Sequence, residues 1–236
     1  MMNLKRKKRK ILIIDTGYVV FNAKKFINKS FPYNEETYND FLDKLNANIR
    51  DNVLKLILKN GVSFKNVIFV RDGSRFKLWR NDIWAENYSK SGSTEPITYK
   101  KKNTSYKKYD RLIFTSAYKY INSFFVELFG CKMFKNDCLE ADDIISGIVY
   151  FYSKNTNVSD IIIVGIDRDL FQLKKYDKVS FSTITGVNLD NIANIWFPRI
   201  IFNNNSFFKR IGRKKFINLN FEVFPEKIQK LILNFV

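Results

Sequence analysis

Three apolar runs in this 236-residue chain each lead into an aspartate: Ile11 to Ile14 before Asp15, Val67 to Val70 before Asp72, and Ile161 to Ile166 before Asp167. Short β-branched runs of this kind read as fully buried strands. In an open parallel sheet the carboxyl ends of such strands face one shared crevice where ligands bind. Three carboxylates are therefore aimed at one place. Asp169 follows Asp167 by two residues, and Glu140-Ala141-Asp142-Asp143 opens a strongly apolar helical segment. Negative charges clustered in a partly dry crevice repel one another unless they are protonated or paired with cations, and oxygen ligands alone select hard ions such as Mg²⁺ or Mn²⁺. The expectation is a carboxylate-lined metal site.

Composition sets the frame around that site. A chain of this length with 45% hydrophobic residues can bury a substantial core, read here as one α/β domain with a short tail. Lys and Arg number 41 against 23 Asp and Glu, a formal net charge of +18, which suits a protein that meets a polyanion. Lys, Asn, Ile and Phe are all abundant, as an AT-rich coding sequence would produce, but the charges also cluster along the chain. There is no histidine, and Cys131 and Cys138 are the only thiols, so a zinc site and Ser-His or Cys-His catalysis lack their parts. Two thiols fit a reducing compartment, and the expected location is the cytoplasm. The basic run Lys5 to Lys10 reads as a solvated arm, and Asp15 interrupts the apolar stretch behind it too early for a signal peptide. No stretch approaches the length of a membrane span.

Strand and helix periods alternate along the chain. Residues 35–60 carry Tyr38, Phe41, Leu42, Leu45, Ile49, Val53, Leu54, Ile57 and Leu58, a helical stripe that stops at Gly61. A second helix is expected from Asp110 to Gly130, a short strand over residues 131–134, a third helix over residues 139–152, and a further strand over residues 178–183. Strands separated by helices predict an α/β fold with a central, mainly parallel sheet and right-handed crossovers. The expected boundaries are a basic arm over residues 1–10, the α/β unit over 11–185 with an insertion at 73–109, and a reduced C-terminal region over 186–236.

That insertion carries Arg75, Lys77, Arg80, Lys90, Lys100, Lys101, Lys102, Lys107, Lys108 and Arg111, interleaved with Trp79, Trp84, Tyr88, Tyr99 and Tyr106. Cations that hold a phosphate backbone, beside aromatic faces that stack unpaired bases, are the parts of a single-strand binding surface. Around residues 91–96 a solvated loop is the simpler reading.

Asp15 after the first strand, Arg71-Asp72 with Trp79-Arg80 downstream, Glu140-Ala141-Asp142-Asp143-Ile144-Ile145 and Asp167-Arg168-Asp169-Leu170-Phe171-Gln172-Leu173 follow one another in the order seen in the 5′ nuclease family. That family includes flap endonucleases and the 5′ to 3′ exonuclease domains of bacterial DNA polymerases, and the resemblance is strongest to its T-even bacteriophage ribonuclease H branch. It spans residues 10–195, with a weaker echo over 217–236. The resemblance implies a PIN-like 5′ nuclease fold and a two-metal phosphodiesterase acting on 5′-flap DNA, RNA–DNA hybrids or single-stranded 5′ ends during replication, as a monomer beside replication proteins. It further implies that Asp15, Asp72, Glu140, Asp142, Asp143, Asp167 and Asp169 hold Mg²⁺ or Mn²⁺, with Asp169 on the second-metal side. A basic arch over the site would place Arg80 and Lys100 or Lys101 on the scissile phosphate.

Each motif alone also has a plain structural explanation: Asp15 could end a strand in an Asp-Thr-Gly turn, Asp167 could cap a helix, and Glu140 to Asp143 could favour a helix dipole. The C-terminal part departs from the family pattern. Gly186-Val187-Asn188-Leu189-Asp190-Asn191 offers Asp190 as a further metal ligand but has Val187 where the family has an aspartate, which implies a weak second ion. A catalytically weakened or inactive nucleic-acid-binding relative is the alternative. Asp15-Thr16-Gly17 is also the local sequence of an aspartic protease, which would need a second such turn or a small homodimer.

Overall fold

The computed structural model describes residues 8–30, 37–73, 78–82, 108–202, 208–211 and 214–236. Its centre is a five-stranded sheet of β1 (Arg9–Asp15), β2 (Val67–Arg71), β3 (Lys132–Lys135), β4 (Val158–Val164) and β5 (Val179–Ser182), ordered β3-β2-β1-β4-β5. All of its pairings are parallel. The expected strands are all present, and the sheet is flanked by helices as the α/β reading requires.

Successive residues of a strand face opposite sides, and here both sides are covered, which is why the runs are continuously apolar. Leu12, Ile14, Val67, Phe69, Ile162 and Val164 share one core with α1 (Thr16–Ser30), α2 (Tyr38–Asn60) and α3 (Lys108–Ile121). Ile11, Ile13, Ile68, Val70, Ile161 and Ile163 share the other with α4 (Ala141–Ser153) and α5 (Asp190–Ile200). The α2 stripe buries Phe41, Leu45, Ile49, Val53, Leu56 and Ile57, and the helix stops at Gly61 in the left-handed conformation, φ 60°. Leu58, expected on that stripe, is 77% exposed, and Leu56 takes the inner position instead. The second expected helix continues past α3 as a π-helical stretch, Asn122–Leu128.

α1 was not expected as a helix. It begins directly on the end of β1, where Asp15 Oδ1 accepts the Tyr18 N–H at 3.1 Å, the bond of a helix cap. Asp15-Thr16-Gly17 is thus a strand-to-helix junction rather than a protease turn.

The C-terminal residues belong to the second core. After α5 come the antiparallel hairpin β6 (Phe208–Ile211) and β7 (Lys214–Ile217), and then α6 (Glu226–Leu233). Phe216, Leu219, Phe221, Phe224, Ile228 and Ile232 are buried against α4 and its neighbours. Gly147 permits that approach, since a Cβ there would stand 2.2 Å from Ile232 Cγ2. No helix among the described residues is long and apolar enough to cross a membrane.

If α6 closes the core, Ile232→Ala should lower unfolding stability by about 2–4 kcal/mol, the usual cost of a buried large-to-small change. A chemical denaturation midpoint measures it, and a loss under about 0.5 kcal/mol would mark the C-terminus as a loosely attached appendage.

Candidate functional site

The chain runs from β1 outward through β2 to β3, then returns to the far side of β1 for β4 and β5. The direction of winding reverses between β1 and β4, and open α/β sheets bind ligands beyond the strand ends at such a switch point. Asp15 ends β1, Asp72 follows β2, and Asp167 follows β4 after Gly165 and Ile166. Gly165 lies so near that a Cβ there would stand 3.6 Å from Asp15 Cβ. The three aspartates therefore rim one crevice.

The start of α4 is drawn to the same rim through Asp72, whose Oδ1 accepts the Ala141 N–H at 2.8 Å. Gly73 N–H donates to the Leu139 carbonyl at 2.9 Å. Only glycine fits there, because a Cβ would stand 2.0 Å from the Asn136 carbonyl oxygen. This crossing delivers Glu140 and Asp142 to the crevice. On the β4 side, Asp167 Oδ1 accepts the Asp169 N–H at 3.1 Å and caps the 3₁₀ helix Arg168–Lys175.

Burial and mutual repulsion strain these carboxylates. Burial, then Asp72 and Asp167, push the Asp15 carboxyl up to about 7, against the pull of the Tyr18 N–H. Asp142 is raised well above the ordinary range by burial, then by Asp167, Asp15, Glu140 and Asp169. Glu140 is raised by burial and by Asp143, with Arg80 opposing. These mutual influences tie Asp15, Asp72, Glu140, Asp142, Asp167 and Asp169 into one electrostatic unit. Among the described residues, however, no group of three or more such side chains stands at metal-ligand spacing.

Three expected roles change. Arg80, expected on the scissile phosphate, is fully buried and ion-paired with Asp143, with Glu140 Oε2 3.8 Å from its Nε. Its guanidinium lies 4.4 Å from the Trp79 ring centroid and 5.2 Å from that of Phe224, out of reach of a strand in solvent. Asp143, expected as a ligand, is consumed by the same arrangement: Oδ1 faces Arg80, and Oδ2 accepts from Trp79 Nε1 at 2.9 Å and from the Glu140 N–H at 3.1 Å. Asp190, also expected as a ligand, instead ties α5 to its surroundings, with Oδ1 accepting from Lys174 Nζ at 3.1 Å and the Phe181 N–H at 3.0 Å. Val187 is exposed in a turn that folds straight back from β5, where Gly186 adopts φ 81° and the Thr183 N–H donates to the Val187 carbonyl at 2.9 Å.

Arg75, Lys77, Lys90, Lys100, Lys101, Lys102 and Lys107 lie outside the described residues. Lys108 is described in its backbone alone, as the first residue of α3. Sequence reasoning missed the Trp79 indole as a partner for Asp143. It also missed Arg71, whose guanidinium lies 3.9 Å from the Tyr118 ring centroid.

No family model and no curated protein matches the chain. Among solved structures it is similar to the T5 D15 protein co-crystallised with metal ions, at 16% identity and a TM-score of 0.44 over 75% of this chain and 55% of that one. It is similar to T5 5′-exonuclease with bound zinc at 16% identity and a TM-score of 0.42, over 75% of this chain and 56% of that one. A third structure, bacteriophage T5 D15 flap endonuclease in a pseudo-enzyme-product complex with DNA and metal ions, matches at 15% identity and a TM-score of 0.43, over 75% and 56%. The chain thus spans little more than half the length of these proteins.

The raised Asp15 carboxyl has a consequence for stability. The unfolded chain releases this proton near the ordinary value of 3.8, the folded chain near 7, so the folded state binds the extra proton between them. The stability this provides is fully present below the unfolded value and is lost as pH rises through the folded one. Asp15→Asn should therefore stabilise the metal-free protein at pH 8 by on the order of 2 kcal/mol and change it little near pH 4. Denaturation at both pH values checks this; an equal effect at both would show that the carboxyl is not under electrostatic strain.

Proposed function

We propose that this chain is a divalent-metal-dependent 5′ nuclease that hydrolyses phosphodiester bonds of branched DNA or RNA–DNA hybrids, as in flap or primer removal. The observation that carries this reading is the convergence of Asp15, Asp72, Glu140, Asp142, Asp167 and Asp169 on the switch-point crevice, with Asp15, Glu140 and Asp142 all raised. A set of oxygen donors under mutual repulsion suits hard divalent cations, which would relieve the charge that burial now penalises. These six residues would hold Mg²⁺ or Mn²⁺, with Asp169 on the side of a second ion. When bound, such ions would lower the pKa of a coordinated water and stabilise charge on the phosphodiester, so that no histidine base is needed.

The chain's own residues divide the remaining work. The Asp72 and Asp167 side chains lie at the exposed edge where a phosphate can approach, while Asp15 and Glu140 sit deeper. Hydrogen bonds from the Tyr18, Ala141 and Asp169 N–H groups fix the Asp15, Asp72 and Asp167 carboxylates in place. The basic, aromatic residues 75–111 are proposed to hold the single-stranded arm, with Lys100 or Lys101 on the phosphate and Arg80 no longer among them. The protein is proposed to act as a monomer.

A second reading, a nucleic-acid binder that keeps the fold without the activity, is favoured by one observation: Val187 is 57% exposed where the family has an aspartate, and Asp190 is held by Lys174. Mg²⁺-dependent degradation of labelled 5′-flap DNA and of an RNA–DNA hybrid separates the two.

Two outcomes are expected. Mn²⁺ at a hundredfold excess over its dissociation constant should stabilise the fold by ~2.7 kcal/mol, read as a raised melting temperature. An unchanged melting temperature at millimolar Mn²⁺ would argue against the site. Asp167→Asn should abolish cleavage of the flap while leaving flap affinity within a few fold, because the carboxylates serve the chemistry and the basic surface serves binding. Normal cleavage by this variant would remove Asp167 from the machinery.

A further inference from the structure

Beside the acidic crevice, two arginines from different elements converge on one indole. Arg168 stands between Asp167 and Asp169, and its guanidinium carbon lies 4.1 Å from the Trp196 ring centroid. Arg199, three residues beyond Trp196 on α5, places its guanidinium carbon 5.8 Å from the same centroid. Neither guanidinium has an ion pair or side-chain hydrogen bond among the described residues, although Arg168 is flanked by two carboxylates in sequence.

The platform beneath them is fixed. Trp196 rests on the buried Phe216, with ring centroids 6.2 Å apart. Lys174 on the 3₁₀ helix pairs with Asp190 at the start of α5 at 3.1 Å, so the two elements that carry the arginines are tied to each other. A cation in the last turn of a helix complements the helix dipole, which accounts for Arg199 alone. It does not account for a second guanidinium brought to the same ring from another element.

We infer that Arg168, Trp196 and Arg199 form a phosphate-binding station for a nucleic-acid backbone, next to the crevice and distinct in sequence from the basic residues 75–111. Two guanidiniums pre-positioned about one indole ring, with no side-chain partner for their N–H groups among the described residues, are suited to the forked recognition of phosphate oxygens. A backbone is the ligand that matches both the strong positive charge of the chain and the neighbouring carboxylates, because it offers further phosphates to whatever those carboxylates hold. Arg168 belongs to the same short turn as Asp167 and Asp169, so a phosphate held there lies beside the acidic centre. The inference rests on the nuclease reading for that geometry, but its test reads binding alone.

The experiment is a salt titration of binding to labelled 5′-flap DNA and to an RNA–DNA hybrid, by fluorescence anisotropy with Ca²⁺ in place of Mg²⁺. The proteins are wild type, Arg199→Gln, Trp196→Leu, Arg168→Lys and Lys230→Gln. Arg199→Gln should weaken binding about five- to tenfold and flatten the plot of log affinity against log salt by ~0.7–0.9, one lost phosphate contact. Trp196→Leu leaves the charge unchanged and should still weaken binding several-fold, as should Arg168→Lys, which keeps a cation but loses the fork. Lys230→Gln on α6 removes the same charge from an exposed pair with Glu226 and should bind like wild type. Melting curves taken alongside identify any variant that fails to fold, and Arg168→Lys and Arg199→Gln then decide the matter. Wild-type affinity in both, an equal loss in Lys230→Gln, or no binding of either nucleic acid by the wild type would overturn the inference. Absence of Mg²⁺-dependent cleavage with these binding losses intact would overturn the nuclease reading and leave the station standing.

Discussion

The buried contact between Arg80 and Asp143 is the joint on which the acidic crevice depends. A guanidinium and a carboxylate removed from water cost several kcal/mol each to desolvate, and only close pairing with further hydrogen bonds offsets that cost. Here Asp143 has them, receiving Trp79 Nε1 and the Glu140 N–H, while Arg80 reaches the Asn218 carbonyl at 3.4 Å but leaves Nε and Nη1 without a hydrogen-bond partner among the described residues. Three separate stretches meet at this contact, namely Trp79-Arg80, the start of α4, and the segment leading to Phe224. Removing either charge would leave the other buried and unpaired, which is the costlier state. The pair therefore fixes where α4 begins, and with it where Glu140 and Asp142 stand.

The remaining carboxylates are strained by burial and by one another. Arg80 lowers Glu140, but burial and the neighbouring Asp143, Asp72 and Asp169 outweigh it. Among the described residues no cation is a leading influence on Asp15 or Asp142, whose shifts are set chiefly by burial and other carboxylates. A crevice that keeps acids together at this cost is poised either to take up protons or to take up cations. Near neutral pH the second is the more effective relief, because one divalent ion satisfies several carboxylates at once.

Much of this was legible in the sequence, and the failures have physical causes. Apolar runs ending at Asp15, Asp72 and Asp167 marked parallel strands correctly because a sheet covered on both faces demands continuous hydrophobicity. Glu140, Asp142 and Asp143 could not be sorted the same way. Successive residues in a first helical turn point about 100° apart, so Asp142 can face the crevice while Asp143 turns into the core, and spacing alone does not say which. Arg80 is the counterpart of that ambiguity, since a cation in a basic stretch reads as surface until its carboxylate partner is located. The C-terminal elements gave weak signals: α5 contains Pro198, and β6 and β7 are only four residues each. Their burial comes from Phe216 meeting Trp196 and from Leu219 and Phe221 meeting α4, long-range contacts that no local pattern encodes.

A basic protein built around an acidic centre faces a problem of sorting, because its own lysines and arginines would otherwise neutralise the carboxylates it keeps exposed. Three described arginines near the crevice are kept from doing so by aromatic partners. Arg71 lies over Tyr118, Arg168 and Arg199 lie over Trp196, and Arg80 is spent on Asp143 in the interior. A guanidinium stacked on a ring retains its charge and its outward N–H donors while being held off a neighbouring carboxylate. Arg168 is the sharpest case, since Asp167 and Asp169 lie on either side of it in sequence and yet it faces the indole. Positive and negative groups can thus occupy one rim without cancelling, and a phosphodiester backbone, with or without bound cations, is the ligand that can satisfy both.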